Sequence, residues 1–464
     1  MTTRRLFLKS SLATAGAASA LSWLPHGRVL AADTSGYRAL VCVFLVGGMD
    51  NFDTVIPYDT LSYDRYAEIR APLLANYAAA GVTSRLRNNL RVLSPINSAT
   101  FAGRQFALPA ELSPIADLFD SGAAAIVGNV GPLVQEATRT ELEADPTLLP
   151  PRLYSHNDQQ SVWQSLEPEG SRFGWGGRFA DTMNNAGAND IFAFSAITPG
   201  GNNVFLSGEG VQPYQVGSFE STTEHLLLSD TSPLNDQSKQ AFRALIAANS
   251  RRLDNILERD VDAIQADALA TNEAFSGAIA NVADPLATDF PDTSIGRQLK
   301  TVADTINARS QLGASRQIFY VRQGGYDTHS SQARDLPRLH TQLAEGLAAF
   351  YQATQDMGVG LDVVTFTASD FGRTLAINGD GTDHGWGGHH FVIGDSVRGQ
   401  RIYGTIPPAD FDHALDDGGG RLIPSVSVQQ YAGTMGSWFG LTSSERRGAL
   451  PGSDNFAEET LTFL

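Results

Sequence analysis

Apolar residues fall in short unbroken runs along this chain, separated by longer stretches in which they recur at helical spacing. The first run, Leu40–Val46, is closed by Gly47-Gly48. An apolar run of that length, ended by glycine, predicts a strand buried on both faces, as in a parallel sheet. Similar runs stand at Ala123–Val130, Ile191–Ile197, Gln317–Val321, Leu361–Phe366 and Phe391–Ile393. Helical patterns cover Ser238–Ala270, Ile295–Gln311 and Ala333–Met357, and the last two lead directly into strands. Strand, helix, strand in this rhythm predicts an α/β fold: a doubly wound, mostly parallel sheet flanked by helices, with right-handed crossovers. The stretch from about Ser207 to Pro291 has few strand signals and reads as a helical insertion or cap on that sheet. No fixed-period repeat or low-complexity linker interrupts the pattern.

Composition narrows the classes. With 42% hydrophobic and 18% charged residues, the chain can bury a large core, which excludes a disordered protein. Lys and Arg number 33 against 50 Asp and Glu, a net charge of −17, so the basic footprint of a nucleic-acid binder is missing. Cys42 is the single cysteine, which rules out an internal disulfide and a Cys-based zinc finger. Its place inside an apolar run predicts a small buried hydrophobe.

The N-terminus carries Arg4-Arg5-Leu6-Phe7-Leu8-Lys9, an Ala-rich apolar stretch over Ser10–Leu24, and small residues near Ala31. That order is the order of a twin-arginine export signal, expected over residues 1–31. The apolar stretch is shorter than the about 20 residues a membrane span needs. The segment holds Arg4, Arg5, Lys9 and Arg28 and no acid, so its removal takes the net charge from −17 to −21. The expected mature protein is a single domain over 32–464, exported to the periplasm or beyond, with the twin-arginine translocase as its transport partner and no stable membrane span.

Polar residues then collect where strands are predicted to end. Gly47-Gly48-Met49-Asp50-Asn51 follows the first run. Gly324-Gly325-Tyr326-Asp327-Thr328-His329 and Ser369-Asp370-Phe371-Gly372-Arg373 follow two later ones. Asp383-His384 and His389-His390 stand in a glycine-rich stretch before the run at Phe391, and Tyr154-Ser155-His156-Asn157-Asp158 forms a further cluster. In open α/β sheets, chemistry gathers beyond the carboxyl ends of the strands. Histidine and carboxylate from separate strand ends can meet on one divalent ion, with nitrogen and oxygen donors suited to zinc or manganese. Each motif alone is also a common turn sequence.

Together GGMDN, SHNDQQSVW, GGYDTH, SDFGRT and NGDGTDHGWGG resemble the exported bacterial family called domain of unknown function 1501. That family is similar in strand order and site layout to the alkaline phosphatase and sulfatase superfamily. The resemblance implies metal-dependent hydrolysis or transfer of phosphate or sulfate esters. It implies one or two divalent ions, zinc or manganese first and calcium or magnesium as alternatives. Asp50, Asp327, His329, Asp370 and His384 match metal positions. Ser155 matches the nucleophile position, with His156 beside it, and Arg373 could neutralise charge on the transferred group or hold the Asp370 turn. The usual histidine neighbour of Asp370 is Phe371 here. His389 or His390 could fill that place, the site could hold one ion, or it could be degenerate. No Cys/Ser-x-Pro-x-Arg frame is present, which disfavours a formylglycine sulfatase, and no Gly-x-Ser-x-Gly elbow surrounds Ser155. The expected function is an exported metal-dependent ester hydrolase acting on an anionic ester. The alternative is a non-catalytic periplasmic binding protein that keeps a degenerate phosphatase-like site for an exported partner.

Overall fold

The computed structural model describes residues 31–217, 234–249 and 256–464. The expected export signal therefore lies almost wholly outside the described residues. The centre is a nine-stranded sheet. Its strands are β1 (Arg38–Val46), β2 (Ala124–Gly131), β3 (Ala196–Thr198), β4 (Tyr214–Gln215), β5 (Arg316–Gly324), β6 (Val363–Ser369), β7 (Gly388–Ile393), β8 (Ile402–Gly404) and β9 (Val426–Ser427). In space the order is β8-β2-β7-β6-β1-β5-β3-β4, with β9 also paired to β2. β1 runs parallel to both β5 and β6, and β7 alone is antiparallel to its neighbours β2 and β6. The sheet is mixed and mostly parallel, as the strand and helix rhythm requires.

Helices cover both faces. They include α1 (Thr60–Ile69), α2 (Ala71–Ala79), α3 (His156–Ser165), α4 (Trp175–Asn185), α5 (Asp236–Asn249), α6 (Ile256–Ala280), α7 (Ser294–Asn307), α8 (Gln332–Asp356) and α9 (Val428–Phe439). The period of two along β1 divides the core. Val41, Val43 and Leu45 pack with Leu299 and Val302 of α7 and Leu336, Leu343 and Leu347 of α8. Leu40, Cys42 and Phe44 point the other way, onto Trp163 of α3, Phe179 of α4 and Met435 of α9. Cys42 is a buried core residue.

Some elements differ from their sequence expectation. The run Ile191–Ile197 splits into a short turn of helix, Phe192–Phe194, and the strand Ala196–Thr198, because Ile191 and Phe192 are exposed. Leu361 is likewise exposed, and its strand begins at Val363. Within the expected helix Ser238–Ala270 the described residues form α5 and α6, the second continuing to Ala280, and 250–255 lie outside the described residues. The insertion is not wholly helical, since β4 extends the sheet edge by pairing with β3. Among the described residues no helix is long and apolar enough to cross a membrane.

Register brings the working ends of the sheet level. Val46 of β1 lies opposite Gly324 of β5, and Leu45 opposite Ser369 of β6. Gly47 follows with φ +117°, and a Cβ there would sit 2.2 Å from the Asp327 backbone nitrogen. Glycine is what lets the first and fifth strand ends approach so closely.

Candidate metal centre

Three loops and one helix start deliver imidazoles and carboxylates to the space beyond β1, β5 and β6. Asp327 and His329 follow β5, and Asp370 follows β6 directly. A hairpin of Arg373–Asn378 and Gly381–His384 returns the chain so that His384 stands opposite Arg373. His156 is the first residue of α3.

The carboxylate of Asp327 is the meeting point. Its Oδ1 lies 3.1 Å from His329 Nε2 and 3.2 Å from His384 Nε2. Its Oδ2 lies 3.3 Å from His156 Nε2. His156, Asp327 and His384 each turn one donor atom into a common volume, all within 4.8 Å of one another. His329 adjoins them, its Nε2 2.7 Å from His384 Nε2.

The far side of each ring explains why the Nε2 atoms face inward. His384 Nδ1 is 2.7 Å from the Tyr154 carbonyl oxygen, which can only accept, so Nδ1 carries the proton. His156 Nδ1 lies 2.6 Å from Asp370 Oδ2, and His329 Nδ1 lies 3.2 Å from Asp383 Oδ1. With each Nδ1–H donated outward, Nε2 of each neutral ring carries the lone pair that faces Asp327 and its neighbours. His156 Nε2 is buried without a hydrogen-bond partner, and two Nε2 lone pairs at 2.7 Å require a proton or a cation between them. Imidazole nitrogens and one carboxylate, with outer acceptors on the rings, are the donor set of a first-row metal such as zinc or manganese. The residues present fit such an ion.

Without an ion, the neighbouring carboxylates favour a proton on His156. The hydrogen bond that His156 donates to Asp370 raises the imidazole above the ordinary histidine value against the opposing effect of burial, and Asp327 adds to it. Burial lowers His384, with the nearby His156 and Arg373 acting in the same direction. Burial alone would raise Asp327, but His156, Arg373 and His329 outweigh it and hold the carboxyl below its usual range.

The expected site residues fare differently. His156, Asp327, His329, Asp370 and His384 are brought together. Asp370 is fully buried and takes the outer position: its Oδ1 accepts from Gly47 N at 3.1 Å, and its Oδ2 faces His156 and the Gln160 amide at 2.8 Å. Asp50 departs from the expected ligand set. It is fully buried and faces Arg70, whose guanidinium grips it at 2.6 and 3.1 Å, while Gln332 Nε2 donates to it at 2.6 Å. Asp53 joins the same knot, bonded to Arg70, Tyr66 and Tyr77. Arg373 is also fully buried, with its donors on the carbonyls of Gly47 and Thr382 and on Asp327. It braces the Asp327 loop. Ser155 precedes α3 and turns its hydroxyl onto Asp158 Oδ2 at 2.8 Å.

His389 and His390 do not replace the histidine missing at Phe371. Both are buried in the core, where burial pushes each imidazole down to about 3. His389 Nδ1 accepts from Asn129 N, and His390 packs edge-on against Trp163. Phe371 instead lies against the rings of His384 and His156, at centroid distances of 4.5 and 4.9 Å. Gly48, with φ +87°, leaves room for that phenyl ring, because a Cβ there would sit 2.5 Å from it. Trp163, Trp175 and Trp386 are all buried in the packing. Sequence reasoning missed Gln160 and the Tyr154 carbonyl, and a backbone oxygen leaves no trace in residue identity. It did mark Asp383, but beside its neighbour His384 and not the more distant His329.

The molecule is thus an α/β protein with a His/Asp cluster at the carboxyl ends of its central strands. The sequence matches the family model described as "Protein of unknown function (DUF1501)" over residues 37–446, and the chain belongs to that family. A search of curated proteins finds no match. Solved structures similar to it include Ps i-CgsB in complex with k-i-k-neocarrahexaose, 8% identical with a TM-score of 0.37, covering 89% of this chain and 74% of that one. A 2-O GAG sulfatase is 9% identical with a TM-score of 0.30, covering 88% and 71%. A mutant of the alkaline phosphatase PafA is 10% identical with a TM-score of 0.26, covering 72% and 63%.

Proposed function

We propose that this protein is an exported, metal-dependent hydrolase of phosphate or sulfate esters. The observation that supports it is the convergence of three imidazole Nε2 atoms on the Asp327 carboxylate, each ring held by an acceptor at Nδ1. In this reading His156, His329, His384 and Asp327 hold the ion, zinc or manganese before calcium or magnesium. A bound ion of this kind supplies Lewis-acid polarisation of an ester oxygen. The chain's own residues do the rest. Asp370, Asp383 and the Tyr154 carbonyl fix the tautomers, and Arg373 braces Asp327 from beneath. Phe371 covers one side of the His156 and His384 rings and keeps water from it. The Ser155 hydroxyl donates to Asp158, and direct attack by water, with no ester formed on the protein, is the simpler route.

Export by the twin-arginine route belongs to the same proposal, resting on Arg4-Arg5 and the apolar stretch that follows. The test is metal analysis of the purified mature protein after reconstitution with zinc or manganese, followed by turnover of aryl phosphate and aryl sulfate. Stoichiometric metal with turnover that His384→Ala abolishes is the expected result. A protein that retains no divalent ion overturns the reading. A second reading, a binding protein with a degenerate site, draws on Phe371 in place of a ligand and on the capture of Asp50 by Arg70. Stoichiometric metal without turnover of either ester favours it.

A further inference from the structure

The segment that carries His156 is held in an unfavourable backbone shape. Arg152 has φ +51° and Tyr154 φ +70°, both in the left-handed region that side-chain-bearing residues avoid. Such residues persist where the surroundings over-determine them, and they gather at functional sites. Here the surroundings are specific. The Tyr154 hydroxyl donates to Asp417. The Arg421 guanidinium lies 5.2 Å over the Tyr154 ring. Arg421 Nε in turn donates to the His384 carbonyl oxygen at 3.1 Å, and its Nη1 to Gly418 O at 2.9 Å. Asp416, buried, accepts from Gly418 N and Gly420 N and so shapes the loop that presents Asp417 and Arg421.

Tyr154 thereby links two ligands of the centre. Its carbonyl accepts from His384 Nδ1, and its backbone turn delivers His156 two residues later. The left-handed φ aims the carbonyl, and the ring and hydroxyl anchor it. We propose that Tyr154 is a positioning residue for the metal centre, and that Asp417 and Arg421 fasten it so that His156 and His384 keep their relative placement. This rests on the metal reading above.

Cobalt(II) provides the probe, because its visible absorption reports ligand number and geometry. Metal-free full-length mature protein is titrated with cobalt(II) for wild type, Tyr154→Phe, Asp417→Ala, the double variant of these two, and Asp417→Asn. Loss of an outer partner weakens metal sites by about 10–100-fold. Tyr154→Phe and Asp417→Ala, one step further out, are each expected to weaken cobalt binding by about tenfold, at the lower end of that range, and to change the visible spectrum. The double variant should be no worse than either single one, since both remove the same bond. Asp417→Asn keeps an acceptor and should stay near wild type. Unchanged cobalt affinity and spectrum in Tyr154→Phe and Asp417→Ala, with only a lower melting temperature, overturn the proposal. Wild type that binds no cobalt overturns the metal reading itself and this inference with it.

Discussion

Two clusters of charged side chains sit just beyond the strand ends, and they are closed to very different degrees. In the first, Asp50 and Asp53 meet Arg70, Gln332, Tyr66 and Tyr77, and both carboxylates and the guanidinium are fully buried. Every carboxylate oxygen there has a donor from the protein. In the second, His156, His329 and His384 are half-buried, Asp327 is exposed, and the neutral rings of His329 and His384 aim acceptor atoms at one another. The first is complete without a ligand and serves the fold. In the second, the 2.7 Å between His329 Nε2 and His384 Nε2 is filled by a proton or, in the reading proposed above, by an ion. Residue type alone does not separate the two; what separates them is whether each lone pair already has a proton.

The widest gap between the clusters should be seen in stability. Arg70→Met leaves two buried carboxylates without their cation, and breaking a buried pair from one side costs about 3–5 kcal/mol. Urea denaturation should record that loss. His384→Ala should do the reverse, leaving the urea stability of the metal-free protein within about 1 kcal/mol of wild type. Its zinc affinity should fall by more than about a hundredfold, beyond what outer partners contribute. Calorimetric titration measures it. Asp370→Asn sharpens the contrast, since a weaker acceptor still contacts His156. Zinc binding should weaken by about 10–100-fold with the ring still in place.

Acid gives the smallest effect and touches the closed cluster. Burial would raise Asp53, but Arg70, Arg85 and the Tyr66 and Tyr77 hydroxyls bring it below its ordinary 3.8. Below that value the unfolded chain takes up the proton first, so the stability that Asp53 contributes at neutral pH is lost as acid is added. His340, buried against Arg85, is held neutral by burial first and by that cation second, well below 6.5. Its unfolded counterpart protonates once the pH drops under 6.5, which lowers stability in the same direction. Urea midpoints of the metal-free protein should therefore decline in two stages, one below 6.5, where buried His389 and His390 act with His340, and a second below 3.8. A midpoint that rises on acidification removes both assignments.

Much of the sheet was legible because a strand buried on both faces must be apolar at every position, as Leu40–Val46 is. Runs with an exposed end, Ile191–Ile197 and Leu361–Phe366, misled by one to several residues, since hydrophobicity does not state on which side water lies. Of the candidate site, Asp327 was legible as an acid in a Gly-rich turn after an apolar run, His384 as a histidine in the Gly-rich stretch before Phe391, and His156 only as part of the polar cluster Tyr154–Asp158. The fate of Asp50 was not. Its partners Arg70 and Gln332 lie in or beside helical segments, and only the folded sheet brings them together. Arg373 stayed open between two roles for the same reason: a guanidinium beside a site can serve a substrate or a set of backbone carbonyls, and composition cannot separate the two.

The His/Asp centre takes its members from loops far apart in the chain, so no extended or half-formed molecule can gather them. An ion held there would weigh on the folded side of the equilibrium alone. Loading and durability would then be one quantity measured two ways, with the bound species acting as a clasp across strand ends that the backbone leaves unjoined.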